Sequence, residues 1–188
     1  MPEEGPAHYV RALEVWIVGI PEEFFEYHAR WFANMERMYL IGYGGSTSLR
    51  RPSLWRVPQS VTSLAISSSE ITLTQLRDLM AQLPNLDNLS LSGPFVGGRT
   101  ELAGSGAVVR GRFGGRLILS SASGYDYGHI IDMLLEFPPG LRFTEVQFHC
   151  TCKGLPSTVR IGEACGKTVV KLLHKVESYG KSHHWPFS

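Results

Sequence analysis

The residues closest to a recognisable chemistry lie late in the chain, where His149-Cys150-Thr151-Cys152 and Cys165 supply thiols and an imidazole. These are donor types that zinc gathers into a tetrahedral set of four. Their spacing argues against a metal. Cys150 and Cys152 are a tight C-x-C pair, no second C-x-x-C follows, and Cys165 falls in the next turn. Small buried or half-buried thiols are the expectation, as is usual for free cysteine. Three cysteines cannot all pair within one chain, and nothing else points to secretion, so reduced thiols are favoured. The sequon Asn88-Leu89-Ser90 is then idle, inside an expected strand.

Phosphate-binding and nucleophile motifs fare no better. The glycine-rich pieces Gly42–Ser46 and Gly104–Gly106 lack the Lys-Ser/Thr that ends a phosphate loop. Gly166-Lys167-Thr168 has Ile161 where the first glycine must stand, and Gly180-Lys181-Ser182 has Lys175 there. Turns explain all four. No G-x-S-x-G elbow occurs among the many serines, and His183-His184 reads as a solvated tail. The expectation is a noncatalytic chain with no cofactor and no metal.

Composition narrows the class further. With 188 residues, 43% apolar and 19% charged, the chain is long enough for one globular domain with a continuous core. Its 18 basic and 17 acidic residues give a net charge of +1, no electrostatic footprint for nucleic acid or an anionic membrane. The longest apolar runs, such as LEVWIVGI, fall far short of the roughly 20 residues of a membrane helix. The opening MPEEGPAHYV is acidic and Pro-rich, unlike a secretory signal. An intracellular protein, cytoplasmic or nuclear, is expected.

The elements that must position any functional surface are set by a repeat. An apolar residue followed by others three and five positions later recurs as Val10/Leu13/Val15, Met35/Met38/Leu40, Val61/Leu64/Ile66, Leu86/Leu89/Leu91, Phe143/Val146/Phe148 and Val169/Leu172 with His174 in the third slot. A looser copy, Phe113/Leu117/Leu119, slips by one residue. First positions 10, 35, 61, 86, 113, 143 and 169 advance by 25, 26, 25, 27, 30 and 26. Units of this length stack, because one alone cannot bury its apolar face. The second and third slots share one face of a strand and their neighbours share the other.

Between strands, PEEFFEYHARWFAN (21–34) predicts a helix with Pro21 and two glutamates in its first turn. Its stripe of Phe24, Phe25, His28, Trp31 and Phe32 places Trp31 in the core. TLTQLRDLMAQLP predicts a second helix, capped by Thr72 or Thr74 and stopped by Pro84. Tyr127–Phe137 predicts a third, with Ile130, Ile131, Leu134 and Leu135 on one side. Residues 156–164 form a shorter, weaker one. A loop or 3₁₀ turn is expected between Met38 and Val61, and a glycine-rich irregular segment over 92–115. The organisation is a lead-in (1–9), repeats (10–176) and a tail (177–188).

LPNLDNLSLSG (83–93) resembles the leucine-rich repeat, and SLAISSSEITLTQLRDLMAQLPNLDNLSL resembles the helix-containing kind of F-box-type proteins. Cys165, just before the last strand, is similar to the cysteine-containing variant. LRFTEVQFHCTCKGLPSTVRIGEACGKTVVKL resembles fungal F-box-like proteins ending in degenerate repeats. The resemblance implies an α/β leucine-rich-repeat solenoid, a curved parallel sheet of about seven short strands with helices or turns on the convex side. It further implies the substrate-receptor half of a ubiquitin-ligase subunit.

Two departures stand out. The asparagine usual three residues past each last Leu is replaced by Val18, Tyr43, Ser69, Pro94 and Thr151, so the turns must satisfy their backbone groups otherwise. No F-box precedes the first repeat, so ligase coupling is not expected from these residues. A terminal repeat normally needs a polar cap, and the first strand's edge is expected to be covered by a further domain or by self-association.

The face left open by the repeat is the candidate site. Its positions are Ala12, Glu14, Trp16; Arg37, Tyr39, Ile41; Ser63, Ala65, Ser67; Asn88, Ser90, Ser92; Arg116, Ile118, Ser120; Glu145, Gln147, His149; and Lys171, Leu173, Lys175. The middle is small and polar, with aromatic and charged residues at the first two repeats and mixed charge with His149 at the last two. Aromatics and arginine are common interface anchors. A protein partner is the expectation, with Glu14, Trp16, Arg37, Tyr39, Asn88, Arg116, Glu145, Gln147, His149 and Lys171 as its contacts. The competing expectation is a structural or degenerate repeat fragment whose face is plain solvated sheet. Trp55 and Trp185 fall in loop-like segments and carry no assignment.

Overall fold

The computed structural model describes residues 6–16, 31–42, 57–67, 72–93, 114–120, 127–135, 142–150 and 155–176. Within them the chain is α/β. Seven strands, β1 (Ala12–Trp16), β2 (Arg37–Ile41), β3 (Ser63–Ser67), β4 (Asn88–Ser92), β5 (Gly114–Ser120), β6 (Arg142–Cys150) and β7 (Lys171–Val176), form one sheet. They lie side by side in chain order, every pair parallel. Helices α1 (Leu73–Ala81), α2 (Gly128–Leu135) and α3 (Leu155–Cys165) occupy three of the return segments, as parallel neighbours require a crossover. Short 3₁₀ helices cover Pro6–Tyr9 and Gly166–Thr168.

The apolar slots specify the core directly. Met35, Val61, Leu86 and Phe143 fill the first slot, Met38, Leu64, Leu89, Leu117 and Val146 the second, and Val15, Leu40, Ile66, Leu91, Leu119 and Phe148 the third, all buried. Leu13 and Val169, in the terminal copies, are partly buried against the same cluster. Leu172 departs from the pattern at 47% exposure. It occupies a core slot on the last strand of the sheet, where no further described strand covers it.

Helix α1 forms because Leu73, Leu76, Leu79 and Met80 recur on one face and are buried. Thr72 rather than Thr74 is the cap: its Oγ1 accepts from the Gln75 N–H at 3.1 Å while the Gln75 Oε1 accepts from the Thr72 N–H at 2.8 Å. That reciprocal pair satisfies two otherwise orphaned donors. In α2 the buried residues are Ile130, Ile131, Met133 and Leu134. Leu135 was expected among them but is exposed, since at 3.6 residues per turn Met133 lies within the buried stripe and Leu135 just beyond it. Helix α3 runs 11 residues, longer than its spacing predicts, and Arg160 pairs with Asp132 to tie it to α2.

Trp31 corrects another expectation. It is 56% exposed, because Met35 and the partly buried Phe32 occupy the core side of that approach to β2. Residues 21–30 of the helix expected over 21–34, 43–56 of the loop expected between Met38 and Val61, 94–113 of the glycine-rich segment 92–115, Trp55, Cys152, and the tail with His183, His184 and Trp185 lie outside the described residues, and 32–34, the expected end of that helix, are not helical.

The pairing of β5 with β6 contains a bulge; Phe113, the first slot of the looser fifth copy, lies outside the described residues. Gly115 pairs with Phe143 and Arg116 with Glu145, leaving Thr144 as the extra residue. Gly115 takes φ +66°, and a Cβ there would sit 2.4 Å from the Asp87 backbone oxygen. Only glycine fits such a place without strain. Beyond the bulge the register is regular, with Asn88 opposite Arg116.

Candidate functional site

The register places the open-face residues in three rows across the sheet. The first runs Ala12, Arg37, Ser63, Asn88, Arg116, Glu145, Lys171; the second Glu14, Tyr39, Ala65, Ser90, Ile118, Gln147, Leu173; the third Trp16, Ile41, Ser67, Ser92, Ser120, His149, Lys175. Strand neighbours stand about 4.8 Å apart, so each row is a line of residues perpendicular to the strands. All ten candidate residues fall on these rows.

The two ends of the face are built differently. At the first strand the Trp16 indole N–H donates to Glu14 Oε1 at 2.7 Å, which fixes the half-exposed ring over its own strand. Arg37 is exposed on the neighbouring strand beside partly buried Tyr39. At the other end Glu145 is held by three donors: Lys171 Nζ at 2.8 Å, Gln147 Nε2 at 2.7 Å and Arg116 Nε at 2.9 Å. The Lys171, Gln147 and Arg116 hydrogen bonds, reinforced by the Arg116 charge, pull the Glu145 carboxyl down to about 2 despite opposing desolvation. Arg116 and Lys171 are half in water, so each ion pair contributes at most about 1 kcal/mol.

Sequence reasoning brings Arg116, Glu145, Gln147 and Lys171 to one end and the structure joins them in one network. Glu14 and Trp16 also bond. Arg37 and Asn88 share the first row, and His149 stands half-buried opposite Ser120 and Lys175.

A second set of hydrogen bonds was not anticipated. The residue just before the first slot uses its side chain to bind the backbone of the preceding repeat. Asn34 Nδ2 donates to the His8 carbonyl at 3.0 Å, Ser60 Oγ to the Ala33 and Met35 carbonyls at 2.8 and 2.7 Å, and Asn85 Nδ2 to the Gln59 carbonyl at 3.0 Å. Thr168 Oγ1 repeats the geometry, donating to the Phe143 carbonyl at 3.3 Å and to Cys165 at 2.7 Å. This column satisfies backbone carbonyls at or just ahead of the strand starts. Its signal in the sequence is the recurrence of Asn, Ser, Asn and Thr immediately ahead of an apolar slot.

Cys165 is buried at the end of α3, and burial raises its thiol above the ordinary value. Cys150 ends β6. Among the described residues no three His, Cys, Asp or Glu side chains converge as metal ligands. None of the described helices is long and apolar enough to cross a membrane. Comparison with protein-family models, curated proteins and solved structures returned no match.

Proposed function

We propose that this chain is a noncatalytic protein-recognition module, a leucine-rich-repeat-type solenoid whose open sheet face holds a protein partner. The observation that carries this reading is the alignment of one side chain per strand into three rows across seven sequential parallel strands. Such rows present a broad, rigid surface whose residues are independent of the core slots. Half-exposed Trp16, with Tyr39 and Arg37 beside it, supplies the aromatic and guanidinium anchors on which protein interfaces depend. By the resemblance of its repeats, its context is the substrate-receptor portion of an F-box-type ligase subunit, inside the cell, with ligase recruitment supplied by a separate element.

The test is a triple substitution, Trp16→Ala, Arg37→Ala and Tyr39→Ala, compared with the wild-type chain by crosslinking capture and mass spectrometry. The variant is expected to lose the partners that the wild type retains. An unchanged set of captured proteins refutes the recognition face. Co-purification of the full-length gene product with a ligase adaptor tests the ligase context separately.

A further inference from the structure

The first row of the open face contains four successive strands whose side chains can all donate hydrogen bonds: Arg37, Ser63, Asn88 and Arg116. Among the described residues, Arg37 has no ionic partner, and the Ser63 hydroxyl and Asn88 amide make no side-chain hydrogen bond. Of the carboxylates at that end, Glu14 accepts the Trp16 indole and Glu36 pairs with Arg11. Arg116 uses only Nε toward Glu145, leaving the outer fork of its guanidinium available. Glu145 is already shared by Arg116 and Lys171, so that group of three charges is net positive. The row is thus rich in donors, positive at both ends and short of acceptors.

Its dimensions select a ligand. Three strand spacings separate Arg37 from Arg116, about 14 Å. An extended peptide advances about 3.4 Å per residue, so side chains four residues apart, pointing the same way, are also about 14 Å apart. We propose that this row binds an extended acidic peptide segment of a protein partner, lying across the strands with carboxylates at positions i and i+4 on Arg37 and Arg116. Ser63 and Asn88 then meet the peptide between them. The near-neutral chain, net +1, lacks the broad positive field that a nucleic acid would need, so paired carboxylates suit the site better than a polyphosphate. The inference rests on the recognition reading above.

Fluorescence anisotropy with the full chain tests it. The probe is a fluorescein-labelled nine-residue peptide of Ser, Thr and Val carrying glutamates at its third and seventh positions. Controls carry glutamines there, or glutamates at the third and fifth positions. The i, i+4 peptide is expected to bind most tightly and to weaken with salt, and Arg37→Gln or Arg116→Gln is expected to lower affinity about tenfold each. Arg160→Gln removes one positive charge from α3, where it pairs with Asp132 away from the row, and is expected to leave affinity within about twofold, which separates contact by the two arginines from a change in net charge. Melting temperatures of all variants identify any loss of fold, and a variant that melts early is replaced by the Lys substitution, which keeps the charge but not the fork.

Equal binding by the glutamine peptide, equal binding by the i, i+2 peptide, or indifference to both arginine substitutions overturns the proposal. So does tighter binding of a single-stranded deoxythymidine oligomer, or no peptide binding at all. If peptides fail while the Trp16/Arg37/Tyr39 triple variant still loses captured partners, only the acidic occupant is refuted. If captures are also unchanged, the recognition face itself is refuted.

Discussion

Replacing Gly115 with alanine should be among the most damaging one-carbon changes in the sheet. At φ +66° an L side chain costs about 1–2 kcal/mol. The new Cβ would also lie 2.4 Å from the Asp87 backbone oxygen and 2.6 Å from Asp87 Cγ and Oδ1. That oxygen accepts the Arg116 N–H at 3.0 Å, so relieving the overlap weakens a sheet hydrogen bond worth about 1 kcal/mol. The expected loss is about 2–3 kcal/mol, combining backbone strain with the weakened bond. Urea unfolding followed by tryptophan fluorescence measures it. Two other glycines divide the causes. Gly166 has φ +54° but open space around its missing Cβ, so Gly166→Ala should cost only about 1 kcal/mol. Gly162, inside α3 with nothing within 4 Å, should gain about 0.5–1 kcal/mol on the same change. Adding Asp87→Ala to Gly115→Ala should recover only part of the loss, because the backbone oxygen remains. If Gly115→Ala costs no more than Gly166→Ala, the close approach to Asp87 carries no energetic weight and the reasoning fails.

Three further outcomes are expected. Glu145 titrates at about 2 against an ordinary 4.5, so its contribution is fully present above about 4.5 and lost as pH falls through about 2. Urea midpoints of the wild type should therefore fall more steeply over that window than those of Glu145→Gln, and parallel curves would contradict the network. Thr72→Ala removes the side-chain half of the capping box, the bond its Oγ1 accepts from the Gln75 N–H, while the Thr72 N–H that donates to Gln75 stays, and should cost about 1 kcal/mol, or about 2–4 °C in melting temperature; Thr72→Ser should retain most of it, and an unchanged melt of the alanine variant argues against the cap. In a Cys150→Ser/Cys152→Ser background, the buried, upward-shifted Cys165 thiol should react with a disulfide reagent far more slowly than an unfolded control. Equal rates would place it at the surface.

The apolar slots were legible because strand alternation is local: a residue two positions from a core residue must share its face. The register of the open rows followed from the same spacing, even in the fifth copy, where counting one residue later places Arg116, Ile118 and Ser120 in line. Helix α1 was legible from its three-and-four spacing and Pro84. What failed depends on neighbours rather than spacing. Leu172 has the pattern of a core residue but lies on the sheet's last strand. Trp31 falls in an apolar stripe of the sequence yet is more than half exposed beside partly buried Phe32. Of the three donors on Glu145, Gln147 is two residues along the same strand, but Arg116 and Lys171 come from the neighbouring strands, and only the tertiary register brings them within reach. The Asn34, Ser60, Asn85 and Thr168 column stands immediately ahead of the first slot rather than three residues past the third.

The bulge at Gly115 connects fold to face. A one-residue slip exchanges the two sides of a strand. Carried into β5, such a slip would turn Leu117 and Leu119 outward and Arg116 and Ile118 into the core. The shift is confined instead to the Gly115/Arg116 junction, ahead of the slots, where glycine tolerates the left-handed backbone and the approach of Asp87. Everything after it pairs in frame with β4 and β6. Arg116 stands in the row of Arg37 through the unbroken β2–β5 register, immediately after a glycine packed against Asp87. A substitution at Gly115 that leaves the protein folded should still disturb the spacing between the two guanidinium groups, so its effect on binding should exceed that of Gly166→Ala, which strains the backbone at the end of α3 and leaves β5 untouched.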